Sequence, residues 1–295
     1  MTTLSENLER LEETIAEACR AAGRARGEVD LMAVSKTFPA EAIVEAAGLG
    51  IRLFGENRVQ EFEKKSAELG AKGAGSGFPG PQTRGTWGTR WSGLSGLRSE
   101  TWGTHAEEPG GGLPGAQGRG TWGTQDCIEL AVREPRVHLI GHLQSNKAAR
   151  AAELFDGIDS LDSVRLAERL NEAAGKLGKR LPVLIEVKLS QEETKEGLEP
   201  EREEMARLLE RLPDFTHLEM QGLMTIAPWG APENVTRACF HRLREWRERW
   251  AREHPRLDFS VLSMGMSGDF PLAIAEGATR IRVGTALFGK RGAQL

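Results

Sequence analysis

The stretch Leu31–Asn57, LMAVSKTFPAEAIVEAAGLGIRLFGEN, shows the pattern that decides the fold. An apolar run that ends at Lys36 gives way, at Pro39, to the sequence PAEAIVEAAG, whose apolar positions recur at helical spacing. A second apolar run, IRLFGEN, follows directly. This order of strand, helix and strand is typical of a parallel β-α-β unit.

The same alternation continues along the chain and gives eight strand candidates. They are LMAVSK, IRLFGEN, VHLIGHLQ, GIDSLDS, LPVLIEVKL, LEMQGLMTI, DFSVLSMGM and RIRVGTALFG. Eight β-α units predict an α/β protein with a single closed (β/α)8 TIM barrel, which typically takes about 250 residues. An open doubly wound sheet is the alternative, although no Gly-x-Gly-x-x-Gly sequence follows the first strand.

The N-terminal residues predict a helix that precedes the barrel. Thr3 and Glu6 have the spacing of a capping box, and one helix face is marked by Leu8, Leu11, Ile15 and Ala18. The segment has no basic patch followed by an apolar core, so we expect no secretory signal and a cytoplasmic protein. No apolar stretch approaches the roughly 18–20 residues that cross a bilayer.

Residues 70–126 depart from the barrel pattern in composition. They hold 17 of the 35 glycines and three copies of TWGT, and they contain no Val, Ile or Met. Because such a composition cannot form packed strands, we expect a disordered insertion in a single barrel domain of residues 1–295. It lies in the loop between the second barrel helix and strand 3, on the face opposite the one where barrels perform chemistry. The alternative is that its tryptophans bind a ligand or a partner.

Charge and cysteine content restrict the kinds of partner and site. The net charge of −4 and the pI of about 6.0 predict no general attraction to nucleic acid or to anionic membranes. The cysteines form no close pair and have no metal-ligand spacing: Cys19, Cys127 and Cys239. We therefore expect reduced thiols and no metal site.

A lysine stands at the C-terminal end of the first predicted strand, where barrel active sites are built. Lys36 ends strand 1, and Glu56 and Asn57 follow strand 2. Apolar walls lower the pKa of a lysine, which frees its amine to attack a carbonyl. The alternative is a strand-end lysine that is paired with a carboxylate such as Glu56.

The loops after strands 7 and 8 have the composition of a phosphate-binding device. Ser267 and Gly268 follow strand 7, and Gly284 and Thr285 follow strand 8. Small residues let the backbone approach a phosphate closely, and hydroxyl groups add donors. Combined with the lysine, such loops fit a phosphorylated aldehyde, namely pyridoxal 5′-phosphate bound to the lysine as a Schiff base. The alternative is ordinary turn glycines with helix-capping hydroxyls.

Six motifs follow one another along the chain: AVSKT, FGENRVQE, HLIGHLQSNK, GLMTI, SMGMSGDF and RVGTALFG. They resemble, nearly word for word, those of the pyridoxal phosphate homeostasis protein family. The resemblance covers the chain except residues 70–126. It implies a single barrel like the N-terminal domain of alanine racemase, with pyridoxal 5′-phosphate bound as an internal aldimine.

The resemblance also implies roles for individual residues. Lys36 would be the Schiff-base lysine, Arg282 the partner of the pyridine nitrogen, and Asn57 a neighbour of the cofactor. The phosphate would be bound by the loops after strands 7 and 8, through Ser267, Gly284 and Thr285.

Two parts of the motifs have a less definite meaning. His138 and His142 lie in the third-strand motif, where we interpret both as packing residues, with cofactor contact as the alternative. The sequence SGD follows Met266 where many family members carry two acidic residues, so the geometry of that loop is not fixed by the resemblance.

The choice between an enzyme and a carrier depends on Arg282 and on a missing residue type. Enzymes that use the pyridine ring of pyridoxal phosphate as an electron sink commonly place a carboxylate next to the ring nitrogen, which keeps that nitrogen protonated. An arginine cannot accept the proton of the ring nitrogen, so the ring stays neutral. In the alanine racemase pattern the second base is a tyrosine from a C-terminal β-domain. This sequence has no tyrosine and ends seven residues after Phe288, so we expect no such domain.

The resemblance therefore implies a monomeric protein that holds, buffers and delivers the cofactor, with no catalytic residues of its own. Pyridoxal phosphate-dependent apoenzymes are the implied partners. The alternatives are a weak amino-acid racemase, another enzyme that depends on the cofactor, such as a transaminase, or an aldolase that uses Lys36 alone.

Overall fold

The computed structural model describes residues 2–72, 135–190 and 196–289. Its eight strands are parallel and pair in sequence order, and β1 also pairs with β8, so the sheet closes into a barrel. The strands are β1 (Asp30–Val34), β2 (Leu53–Glu56), β3 (Arg136–Leu139), β4 (Gly157–Leu161), β5 (Leu181–Glu186), β6 (Leu218–Met224), β7 (Val261–Ser263) and β8 (Arg280–Val283). The predicted (β/α)8 barrel is confirmed, and the alternative of an open sheet is wrong.

Nine α-helices lie within the described residues. They are α1 (Leu4–Ala21), α2 (Ala40–Gly48), α3 (Val59–Lys72), α4 (Ala148–Leu154), α5 (Val164–Lys176), α6 (Glu203–Arg211), α7 (Glu233–Glu253), α8 (Phe270–Ala275) and α9 (Thr285–Phe288). Their apolar faces pack on the outside of the barrel and form the main core with the strands. No helix of the described residues combines the length and the apolar character that crossing a membrane would require.

Helix α1 begins at the predicted capping box. The backbone N–H of Glu6 donates to Thr3 Oγ1 at 3.2 Å, and the N–H of Thr3 donates to Glu6 Oε2 at 2.9 Å. The helix buries Leu11 and Ile15, as its periodicity predicts. Asn7 Nδ2 also donates to the carbonyl of Leu287 at 3.0 Å, so this helix is tied to α9 near the other end of the sequence.

Polar side chains fill part of the barrel interior. His138 Nδ1 lies 2.8 Å from Asp159 Oδ1, and Arg280 Nη1 donates to Asp159 Oδ2 at 3.3 Å. All three residues are buried. The interpretation of His138 as a packing residue agrees with this geometry, because its ring lies inside the barrel against Gly157.

Two predicted runs are longer than the strands they contain. Strand β1 ends at Val34, and the chain turns three residues later at Thr37, which has φ +67°, outside the β region. In RIRVGTALFG only Arg280–Val283 is strand, and Thr285–Phe288 forms α9.

The predicted insertion begins inside a helix. Helix α3 continues to Lys72, so the first three residues of the segment 70–126 belong to it. The rest of that segment, and the expectation of disorder for it, lie outside the described residues. The described chain resumes at Pro135, just before β3, so residues 73–134 connect a helix end to a strand start.

Candidate functional site

The register of β1 and β8 brings two predicted site loops together. Met32 pairs with Arg282, and Ala33 pairs with Val283. The loop that starts at Lys36 therefore leaves the barrel beside the loop that starts at Gly284. A Cβ atom at Gly284 would lie 3.3 Å from the carbonyl oxygen of Val34, so this contact is too close for a larger residue to enter freely.

The backbone next to Lys36 is strained. Thr37 has φ +67°, a left-handed conformation that suits glycine better than a β-branched residue. Such a conformation costs about 1–3 kcal/mol and is commonly found at functional sites. The N–H of Thr37 donates to Glu61 Oε1 of α3, which fixes the turn. Lys36 itself is partly buried.

A buried network lies next to this loop and includes Glu56. Ser35 Oγ and Lys65 Nζ both donate to Glu56 Oε1 at 2.8 Å, and Lys65 Nζ also donates to the carbonyl of Ser35 at 2.9 Å. Burial raises the pKa of Glu56, while Lys65 opposes the change. The alternative prediction paired Glu56 with Lys36; the structure shows a salt bridge between Glu56 and Lys65.

The loops after β7 and β8 converge on one hydroxyl group. Ser267 Oγ accepts hydrogen bonds from the backbone N–H of Gly284 at 3.3 Å and of Ala286 at 3.4 Å. Both distances are long for an N–H···O bond, so these two donors are weakly engaged. Thr285 lies between them and is exposed. The structure thus brings the predicted Ser267, Gly284 and Thr285 together.

The SGD sequence forms a closed turn. The N–H of Met266 donates to Asp269 Oδ1, and the N–H of Asp269 donates back to the carbonyl of Met266 at 3.1 Å. One acidic residue is therefore enough to close the turn that carries Ser267. Gly268 is exposed, and a Cβ atom there would meet nothing within 4 Å, so this glycine is not required for a close approach.

Arg282 reaches from β8 to the ends of two other strands. Its Nη1 donates to the carbonyl of Ser263 at 2.7 Å and to its Oγ at 2.9 Å, and its Nη2 donates to the carbonyl of Thr225 at 2.8 Å. Burial lowers the pKa of Arg282, and the carboxylates of Asp159 and Glu186 act in the opposite direction. A guanidinium group has five N–H donors, so these bonds leave donors for a ligand.

Asn57 lies at the end of β2, next to β1. Val34 pairs with Gly55, so Lys36 and Asn57 each lie two residues beyond a matched pair. A Cβ atom at Gly141 would lie 2.3 Å from the Asn57 carbonyl oxygen, which means that only glycine allows the loop after β3 to pack here. The position of Asn57 is consistent with a site at this end of the barrel.

Sequence reasoning missed several residues that the structure adds to this region. They are Glu186 at the end of β5, Thr225 and Ser263 as acceptors for Arg282, and Ala286 as an amide donor. The predicted run LPVLIEVKL continues past Glu186, whereas β5 ends at this residue, so the rule of strand ends did not indicate it. Burial raises the pKa of Glu186 to about 7, and the charge of Asp162 adds to this change.

Comparison with known proteins decides the family. The family model described as the N-terminal domain of alanine racemase matches residues 7–292. The pyridoxal phosphate homeostasis protein of Vibrio cholerae serotype O1 is 35% identical over 297 aligned residues, which cover 99% of this chain and 98% of that protein. This chain belongs to the pyridoxal phosphate homeostasis protein family. The resemblance inferred from the six motifs is confirmed.

Solved structures place this family member among related barrels. PipY of Synechococcus elongatus PCC7942, in a structure with PLP bound, is 36% identical, with a TM-score of 0.65 and coverage of 93% of this chain and 100% of PipY. An alanine racemase of Clostridium difficile 630 is 13% identical, with a TM-score of 0.59, and covers 99% of this chain and 57% of the racemase. At that identity the racemase shows a shared fold alone.

Proposed function

We propose that this chain binds pyridoxal 5′-phosphate covalently through Lys36 and acts in homeostasis of that cofactor, as a carrier. The observation that carries the proposal is the pairing of β1 with β8, which places the loop of Lys36 beside the loop of Gly284. Relatives named pyridoxal phosphate homeostasis proteins and the PLP-bound structure of PipY support the same ligand.

The loops after β7 and β8 fit the phosphate group. The N–H groups of Gly284 and Ala286 are held only by long bonds to Ser267 Oγ, so a phosphate oxygen can take them at little cost. The hydroxyl of Ser267 then becomes a further donor, and the exposed Thr285 offers another. Gly284 has no side chain that would fill the space next to Val34.

Arg282 fits the ring nitrogen of the cofactor. A guanidinium group only donates hydrogen bonds and stays charged, so it pairs with an unprotonated nitrogen and cannot take a proton from it. Its bonds to Ser263 and Thr225 hold it in one orientation. We assign Asn57, which directly follows β2, to the same pocket.

When bound, pyridoxal 5′-phosphate supplies an aldehyde that forms a covalent bond with a primary amine. Lys36 would provide that amine. Next to the ring nitrogen, Arg282 would favour the unprotonated form, which would weaken the ring as an electron sink. The sequence has no tyrosine to serve as a second base. These features favour a carrier over a racemase. We propose a monomer that delivers the cofactor to apoenzymes which depend on it.

Visible absorption spectra of the purified protein test the lysine. The wild type is expected to be yellow and to be bleached by borohydride, which leaves the reduced cofactor on a peptide that contains Lys36. Lys36→Ala should lose the band. If Lys36→Ala keeps the band and the label moves to another lysine, the assignment is wrong.

Lys179 offers a matched control for this test. It is a partly buried lysine that donates to the carbonyl of Phe155 at 2.9 Å, and burial lowers its pKa. It precedes β5, so it lies at the strand-start end of the barrel, away from the predicted site. Lys179→Ala should keep the absorption band, because a reactive amine in the wrong place does not meet the phosphate loops.

Exchange of α-protons separates a carrier from an enzyme. Amino acids incubated in D2O with the loaded protein should exchange no faster than with free pyridoxal 5′-phosphate at the same concentration. Exchange at a higher rate that disappears in Lys36→Ala would favour the racemase alternative.

A further inference from the structure

Three side chains from successive loops meet at the C-terminal end of the barrel. His142 follows β3, Asp162 follows β4 and Glu196 follows β5. His142 Nδ1 lies 2.9 Å from Asp162 Oδ2 and 3.7 Å from Glu196 Oε2. One nitrogen and two carboxylate oxygens lie within 4.8 Å of one another. The side chain of His142 is 42% exposed, which does not agree with the interpretation of this residue as a packing residue.

This cluster is not neutralised by basic residues of the described chain. Within residues 2–72, 135–190 and 196–289, no lysine or arginine forms a salt bridge with Asp162 or Glu196. Another histidine on the surface differs in this respect. His241 lies 3.1 Å from Glu276, but Arg237 and Arg244 also pair with that carboxylate. Among the described residues, the His142 cluster thus has no basic partner, whereas the carboxylate of the His241 cluster has two.

A buried carboxyl group lies behind the cluster and has an unused oxygen. Glu186 is 5% exposed, and its Oε2 accepts no hydrogen bond from the described residues. The segment of Glu196 packs on it: the N–H of Leu198 donates to the Glu186 carbonyl at 2.8 Å, and a Cβ atom at Gly197 would lie 3.0 Å from Glu186 Cγ. Leaving such an oxygen unpaired is costly, and a cation bound by the cluster would lower that cost through its charge.

We propose that His142, Asp162 and Glu196 bind a divalent first-row transition-metal ion at the mouth of the barrel, with Glu186 as the carboxylate behind them. Imidazole nitrogen with carboxylate oxygen suits Zn²⁺, Fe²⁺ or Mn²⁺ better than Mg²⁺ or Ca²⁺. Bond lengths of about 2.0–2.2 Å require only small rotations of side chains that already lie this close. Three protein ligands leave a position for water or a ligand oxygen.

The expectation of no metal site came from cysteine spacing, which could not detect this group. Its three members are 20 and 34 residues apart and belong to three different β-α units. They meet only because parallel strands of a barrel end at the same face. Glu186 also acts electrostatically on Arg282. An ion bound next to Glu186 would therefore change the electrostatic potential in the proposed cofactor pocket.

Equilibrium dialysis of the full-length protein against Zn²⁺, after treatment with a chelator, tests the proposal. The wild type should bind one equivalent that excess Mg²⁺ does not displace. His142→Ala and Asp162→Asn should each weaken binding at this site by at least about tenfold. His241→Ala is the matched control and should bind as the wild type does. Circular dichroism and thermal unfolding of each variant establish that it is folded.

The outcomes separate the possibilities without reference to the cofactor. Loss of one equivalent in both cluster variants, with retention in His241→Ala, supports the site. Equal Zn²⁺ binding by the wild type and all variants would place the ion elsewhere, for example on cysteines, and would overturn the proposal, as would the absence of Zn²⁺ binding by the wild type. Asp162→Asn keeps the shape of the side chain, so a failure to fold in His142→Ala alone does not decide the result.

Discussion

The aromatic rings of Phe38 and Phe288 pack against each other with their centroids 4.9 Å apart. Phe38 lies two residues after Lys36, and Phe288 ends α9, the helix that begins at Thr285. The contact therefore joins the loop of the proposed amine to the helix of the proposed phosphate site. These two loops come from opposite ends of the sequence, and the ring pair is one of the contacts that hold them in place.

Phe288→Ala is expected to weaken cofactor binding and to lower stability. Loss of a partly buried aromatic pair costs about 1–2 kcal/mol. Because the loop of Lys36 loses a contact, the Kd for pyridoxal 5′-phosphate should rise several-fold. Fluorescence titration gives the Kd, and urea unfolding gives the free energy of unfolding.

Trp246→Ala provides the control for this variant. Trp246 and Trp250 form a similar ring pair on α7, with centroids 5.0 Å apart, outside the loops of the site. Its loss should lower stability to a similar degree and leave the Kd unchanged. An equal rise of the Kd in both variants would mean that the effect of Phe288 is general destabilisation.

Gly284→Ala should impair binding of the phosphate group. The new Cβ would lie 3.3 Å from the carbonyl oxygen of Val34, so the loop after β8 must shift from the position that its amides now hold. We expect the Kd for pyridoxal 5′-phosphate to rise by about tenfold, or about 1.4 kcal/mol. The Kd for pyridoxal, which has no phosphate, should change less.

Gly268→Ala is the matched substitution in the neighbouring loop. A Cβ atom there meets nothing within 4 Å, so both Kd values should stay as in the wild type. If Gly268→Ala weakens binding as much as Gly284→Ala does, the close approach of Gly284 to Val34 is not the cause.

Glu186→Gln should make the stability of the protein less dependent on pH. Burial raises the pKa of Glu186 from 4.5 to about 7, so between these pH values the folded state binds more protons than the unfolded state. Stability therefore falls as pH rises through this window, and the full cost above it is about 3 kcal/mol. The variant should equal or fall below the wild type at pH 5 and gain on it towards pH 8.

Urea unfolding in the presence of a chelator, at several pH values between 5 and 8, checks this prediction. The chelator keeps any bound metal ion from masking the effect. A difference in the free energy of unfolding between variant and wild type that stays constant across the series would show that Glu186 does not titrate in this range.

Deletion of residues 73–126 should leave cofactor binding and folding unchanged. The cut keeps α3 intact to Lys72 and joins it to the chain that leads into β3. This connection lies at the strand-start end of the barrel, opposite the loop of Lys36, and long loops add little to the entropy cost of closure. The measurements are the visible absorption band of the protein-bound cofactor and the thermal unfolding midpoint. A large loss of either would support the alternative in which the tryptophans have a binding role.

The sequence was sufficient to predict the barrel and the face of the barrel on which the candidate residues lie. Alternating apolar runs and helical patterns fix the order of parallel strands, and parallel strands of a barrel end at one face. For this reason Lys36, Asn57, Ser267 and Gly284 could be assigned to that face without coordinates. The length of β1 could not be predicted, because the turn at Thr37 uses a conformation that its residue type does not favour.

Contacts between distant residues were the part that the sequence could not supply. The salt bridge between Glu56 and Lys65 depends on the packing of α3, and no motif in the sequence indicated this pair. Arg282 donates hydrogen bonds to backbone carbonyls. Every residue type has a backbone carbonyl, so the sequence could not indicate these partners. The charge of Glu186 depends on its burial next to Asp162, and that is a property of the folded barrel.

The pairing of β1 with β8 has a consequence for the order of events during synthesis. The proposed amine follows the first barrel strand made by the ribosome, and the proposed phosphate-binding amides follow the last. On this proposal an incomplete polypeptide lacks half of the cofactor site. The proposal therefore predicts that the aldehyde binds only after the barrel has closed. Because the ligand binds only the complete barrel, it raises the stability of complete chains and not that of truncated ones.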